Sequence, residues 1–93
     1  MGSRVTIRVF APLGEASGKS FEEMLPEPTP VGQVLAQVAR REGFYGYLFS
    51  EAGGIRRGFT VLLNGYSIYH RGGIDALLEE DAEIVILAFA TGG

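Results

Sequence analysis

An α+β fold is predicted for this chain: a mixed sheet of four to five strands with one main helix packed on one face. Three patterns in the 93 residues carry that prediction. Residues 4–11 alternate between apolar and polar side chains, residues 31–38 place apolar side chains at helical spacing, and residues 84–90 form an unbroken apolar run of seven. Alternation marks a strand with one buried face, and helical spacing marks an amphipathic helix. A short continuous run marks a strand covered on both sides. The length admits one core, and a composition of 46% hydrophobic and 20% charged residues supplies the apolar material for it. A single domain over 1–93 is expected.

The elements follow in order. Val5, Ile7 and Val9 point to one side of the first strand, and Arg4, Thr6, Arg8 and Phe10 to the other. Pro12, Gly14 and Gly18 mark a turn, from which 19–25 return as a second strand. Thr29 is placed to cap a helix, with Pro30 in the first position, where a missing N–H costs nothing. Val31, Val34, Leu35 and Val38 form its buried stripe. Arg40 and Arg41 suit the dipole of the last turn and Gly43 the C-cap, so the helix spans about 30–42.

Residues 44–58 hold Phe44, Tyr45, Tyr47, Leu48 and Phe49 among glycines and read as a loop over the core, with one helical turn near 47–51. A strand at 59–63 stops at Asn64-Gly65, a strong turn signal, and 67–69 return briefly. Ile74, Leu77 and Leu78 are expected as buried plugs in an irregular stretch. The last strand, 83–89, takes a central place beside the first and parallel to it, with the helix on the crossover.

Several function classes drop out. The absence of cysteine excludes a disulfide scaffold, a thiolate zinc site and a cysteine nucleophile. A net charge of −3, with Arg40-Arg41 and Arg56-Arg57 as the only adjacent cations, argues against nucleic acid as a partner. The apolar run is far short of the roughly 20 residues that span a bilayer, and no charged-then-apolar leader opens the chain. No membrane association is expected, and the cytoplasm is the default location. The single histidine, His70, sits beside Arg71 in a polar turn without the groups acid–base catalysis needs. Glu79, Glu80, Asp81 and Glu83 lack the spacing of a calcium loop and read as a solvated turn. No glycine pair opens a helix after a strand, so no phosphate cradle, bound cofactor or metal ligand is expected.

The chain ends Ala90-Thr91-Gly92-Gly93. Composition alone gives a Gly-Gly ending in about 2% of shuffled chains, which keeps a frayed terminus open as the plain alternative. The functional alternative has a mechanism. A tail without Cβ atoms can enter a narrow channel, and its carboxylate is unhindered. That carboxylate is a poor electrophile until activated, for instance as an acyl adenylate, and nothing in the chain is built to bind ATP. A partner would do it.

In order, the first strand at 5–11, Thr29-Pro30-Val31 opening the helix, 61–65 ending in Asn-Gly, 78–81 before the last strand, and Gly92-Gly93 resemble one family over nearly the whole chain. It is the MoaD/ThiS family of β-grasp (ubiquitin-like) sulfur carriers. The length and the segment 44–58 are most similar to the small subunit of molybdopterin synthase. The resemblance implies that an E1-like enzyme uses ATP to adenylate Gly93, and that a persulfide donor converts it to a thiocarboxylate. The tail, flexible over about 90–93, would then enter the large synthase subunit and give sulfur to a pterin precursor in molybdenum or tungsten cofactor biosynthesis. On that reading the chain is a carrier and not an enzyme; Gly93 is the reactive residue, and Thr91 and Gly92 line the inserted tail.

Glu79-Glu80-Asp81 stands where the family usually has Asp-Gly-Asp, and Ala88-Phe89-Ala90 where a proline commonly precedes the tail. These departures leave the sulfur acceptor open, with tRNA thiolation and cysteine synthesis as other destinations. A ubiquitin-like modifier joined through Gly93 to lysines is a further alternative, as is an interaction module with an incidental Gly-Gly. The sheet face away from the helix is expected to carry Phe10, Thr60, Leu62, Val85, Leu87 and Phe89, the parity of the last strand being open. So apolar a face needs cover. Either 44–58 folds over it or, as the resemblance implies, it docks the activating enzyme and the acceptor through Phe10, Leu62, Leu87 and Phe89.

Overall fold

Alternation in the first strand translates directly into burial. In the computed structural model, which describes residues 2–88, β1 (Ser3–Val9) buries Ser3, Val5, Ile7 and Val9 and turns Arg4, Thr6 and Arg8 away from the core. A turn through Gly18, in the left-handed region at φ 79°, leads into β2 (Ser20–Leu25). The hairpin places Ser3 opposite Leu25 and Arg8 opposite Ser20. Then follow β3 (Thr29–Pro30), α1 (Val31–Glu42), α2 (Tyr45–Leu48), β4 (Phe59–Leu63), β5 (Tyr66–Ser67), β6 (Leu77–Leu78) and β7 (Ala82–Ala88).

The main sheet runs β2-β1-β7-β4-β5, and β3 pairs separately with β6. The β1–β7 pair is parallel and the others antiparallel, which makes the sheet mixed and β7 central, as its apolar run predicts. α1 lies across one face with Val31, Val34, Leu35, Val38 and Ala39 buried. Gly43 ends it in the left-handed conformation, at φ 83°. Arg41 bonds Glu42 beside it and Glu23 on β2, and these two carboxylates raise its pKa further above an already high value.

The helix begins differently from the expectation. Pro30, not Thr29, is the N-cap residue, with ψ at 141°, and the Thr29 hydroxyl donates to the Glu27 carbonyl at 2.9 Å. A residue before proline is driven to extended geometry, and Thr29-Pro30 accordingly pairs with Leu78-Leu77. The open helix end is met from far along the chain, the Val31 N–H donating to the Ala76 carbonyl at 2.8 Å.

Leu77 also departs from its expected place. Neighbours in an extended segment point to opposite sides, so Leu78 is buried while Leu77 is 50% exposed. Ile74 is half-buried. After Asn64-Gly65 the return strand is Tyr66–Ser67, and the chain then tightens into a 3-10 turn (Ile68–His70) that drops Ile68 into the core. The helical turn in the 44–58 segment begins at Tyr45, ahead of the expected position, and buries Leu48.

Gly32 marks a close approach. A Cβ there would stand 2.9 Å from the Ile74 Cβ and 3.0 Å from the Ile74 carbonyl oxygen. Gly32→Ala gains up to about 1 kcal/mol of helix propensity, but crowding a packed site costs roughly 1–3 kcal/mol. A net loss near 1 kcal/mol is expected in urea unfolding. Gly46→Ala, where a Cβ meets nothing within 4 Å, is expected to be neutral or slightly stabilising in the same measurement.

Candidate functional site

The β1–β7 register decides which side of the last strand faces out. Ile86 lies opposite Val9 on one side and Val61 on the other, which commits Ile84 and Ile86 to the core beneath α1. Val85 and Leu87 therefore occupy the opposite, open face. There Val85 lies beside Arg8 and Leu62, and Leu87 beside Thr60. Phe10 extends the row: its N–H donates to the Ile86 carbonyl at 2.9 Å, and the residue is 62% exposed.

Phe10, Leu62 and Leu87, three of the expected docking residues, thus share one face together with Thr60 and Val85. Phe89, Thr91, Gly92 and Gly93 lie outside the described residues. Met24 joins the face on its outer edge at 61% exposure, opposite Arg4, and was not anticipated. Alternation of Ser20, Glu22 and Met24 against Phe21, Glu23 and Leu25 carries that signal, but only once the hairpin register is known.

The segment 44–58 does not cover this face. The Phe44 ring stacks 6.3 Å from that of Phe21, which lies opposite buried Ile7, and Leu48 and Phe49 are buried in the same core beside α1. These apolar side chains were needed to close the helix side, where a single helix leaves the sheet incompletely covered.

Charge frames the apolar strip. Arg8 Nε lies 3.0 Å from Glu83 Oε2 across the central ladder, and Arg4 Nε lies 4.0 Å from Glu22 Oε1 at the outer edge. Both pairs are well exposed, so each contributes at most about 1 kcal/mol and serves mainly to set the charge pattern. In the acidic turn, Asp81 Oδ1 accepts from the Arg4 N–H at 2.7 Å, and Asn64 Oδ1 accepts from the Glu83 N–H at 2.9 Å. The acids there are solvated, but Asp81 also pins the start of β1. An open cleft of about 400 Å³ between Asn64, Arg71, Leu77 and Glu80 lies at this end of the sheet.

The last strand leaves from the other end. Ala88 lies opposite Phe59, on the side of the sheet where β1 runs out into Phe10. The exposed aromatic and the root of the tail are neighbours.

A mixed five-stranded sheet grasping one long helix, with an apolar strip beside the exit of its last strand, defines a β-grasp protein of the ubiquitin-like class. The ThiS family model matches residues 7–93, and the chain belongs to the ThiS family. SAMP1 from Haloferax volcanii is similar in structure with a TM-score of 0.78 at 18% identity, over 98% of this chain and 100% of that one. The small archaeal modifier protein 1 of Methanosarcina acetivorans gives 0.76 at 22% identity, over 100% and 99%. The Amycolatopsis orientalis BexX/CysO complex gives 0.69 at 23%, over 96% and 99%. At these identities the likeness is one of fold. Among curated proteins, none matches the chain.

Exposure separates fold from face. Phe10→Ala is expected to change unfolding free energy by no more than about 0.5 kcal/mol. Ile7→Ala, at a fully buried site, is expected to cost roughly 2–5 kcal/mol in the same urea titration.

Proposed function

We propose that this chain is a sulfur carrier whose Gly93 carboxylate is adenylated by an E1-like enzyme, converted to a thiocarboxylate and handed to an acceptor protein. One observation carries the reading: the strip of Phe10, Thr60, Leu62, Val85 and Leu87 ends beside Ala88, the last described residue of β7. A partner that grips the strip is thereby held at the root of the tail, and binding at the face is converted into positioning of the reactive group. Membership of the ThiS family supports the same assignment.

The chemistry divides between partners. Adenylation turns a resonance-stabilised carboxylate into a good acylating agent, with ATP bound and spent by the activating enzyme. A persulfide sulfur then displaces AMP, and cleavage of the sulfur–sulfur bond by a thiol reductant leaves the thiocarboxylate on Gly93. Its sulfur is the better nucleophile. The chain supplies the carboxyl group and the docking face, and its partners supply catalysis. The acceptor that the sequence resemblance names first is the large subunit of molybdopterin synthase. A second reading, conjugation of Gly93 to lysines of other proteins, draws support from the fold shared with the small archaeal modifier proteins. On this reading the encounter with such partners takes place in the cytoplasm; the described residues contain no helix long and apolar enough to cross a membrane.

Incubation with a cognate activating enzyme, ATP and a sulfur donor is expected to add about 16 Da to the intact chain, the exchange of one oxygen for sulfur. Deletion of Gly93 must abolish the gain. Adducts on other proteins in place of the gain would support the modifier reading. Leu87→Asp is expected to lower kcat/KM for adenylation at least about tenfold with the circular dichroism spectrum retained, as loss of a central docking contact does.

A further inference from the structure

The one lysine of the chain lies at the tail end of the sheet. Lys19 is exposed, and it closes the hairpin: its carbonyl accepts from the Val9 N–H at 2.9 Å, and its own N–H donates to the Ala16 carbonyl at 3.0 Å. Val9 in turn lies opposite Ile86, two residues before Ala88. Lys19 is therefore two strand spacings across and two residues along from Ala88, a separation of about 12 Å between Cα atoms. Five residues carry the chain from Ala88 to Gly93, a maximum span of ~17 Å. The lysine stem adds roughly 6 Å of its own. The reach available exceeds the gap nearly twofold.

The other cations are all arginine, whose guanidinium stays protonated and has no acceptor lone pair to attack with. The amino end of the chain enters the sheet at Ser3, level with Glu80 and so ~27 Å along the strands from Ala88. Lys19 is thus the amine that the topology holds nearest to Ala88, the last described residue of β7.

We propose that Lys19 is an intramolecular acceptor for Gly93, closing the chain through an isopeptide bond whenever the activated carboxyl is not captured by sulfur. This rests on the proposed activation of Gly93. In the acyl adenylate, the Lys19 Nζ lone pair attacks the Gly93 carbonyl carbon, and the new C–N bond forms as the C–O bond to AMP breaks. AMP leaves with the electron pair, and the surplus ammonium proton passes to solvent. Nothing is oxidised or reduced. A tether of this length holds the amine at an effective concentration on the order of millimolar. The product has no free carboxylate and no tail to insert. Closure would retire carriers that are charged in the absence of a sulfur donor.

The test separates this step from the carrier reading by installing the activated carboxyl chemically. The probe is the full chain bearing a 2-mercaptoethanesulfonate thioester on Gly93, followed by intact mass at several protein concentrations. The expected product is about 18 Da lighter than the free acid, one water lost, with tryptic cleavage after Lys19 gone. It forms at a rate independent of protein concentration, and Lys19→Arg yields hydrolysed acid alone. Equal hydrolysis of the native and K19R thioesters, or Lys19-linked species found only at twice the mass, would overturn the proposal. Either result leaves the enzyme-dependent gain of sulfur unaffected.

Discussion

The parallel ladder between β1 and β7 is the interaction on which the rest of the structure depends. It joins Val5 to Ala82 and Val9 to Ile86, so nearly the whole chain lies between the two strands. Parallel neighbours cannot be joined by a tight turn and require a long crossover. That crossover contains α1, whose stripe of Val31, Val34, Leu35 and Val38 is buried on the face that Val5, Ile7, Ile84 and Ile86 provide. Without the ladder, the β1–β2 hairpin would be a lone two-stranded piece, marginal in water, cut off from the β7-β4-β5 strands.

The same ladder builds the site. Because the strands are parallel, the end of β1 and the end of β7 lie on one side of the molecule, and Phe10 is brought beside the exit of the tail. Side chains of one strand are also sorted to two tasks by alternation alone. Ile84 and Ile86 hold the fold, while Val85 and Leu87 stay half-exposed on the open face. On the proposed reading, stability and docking fall to different residues of the same strand, and the face can remain apolar without weakening the core.

Much of this was legible from local pattern. The C-terminal limit of α1 with its Gly43 cap, the Asn64-Gly65 turn and the central place of β7 each follow from a few neighbouring residues. What was not legible depended on contacts between distant segments. The helix start is satisfied by Ala76 rather than by Thr29, and no local signal shows that partner. Leu77 and Leu78 are chemically identical, and only the pairing with Thr29-Pro30 decides which is buried. Met24 depends on hairpin register, and Val85 and Leu87 on the parity of a strand apolar on both sides. The destination of 44–58 was open for a related reason: aromatic residues show that a segment is buried, not which side of a sheet it covers.

Charge type adds a last constraint. A protein that presents an activated acyl group exposes its own surface to that electrophile, and every nearby lysine is a candidate nucleophile. Solubility still calls for surface cations. Arginine meets both demands, since its charge persists at any physiological pH and its guanidinium does not compete for the acyl group. The cations of the proposed docking face follow that logic: Arg4 and Arg8 lie on the open side of β1. Against that background the single amine at the tail end of the sheet stands apart. Its place in the hairpin, rather than its abundance, is what gives it chemical meaning.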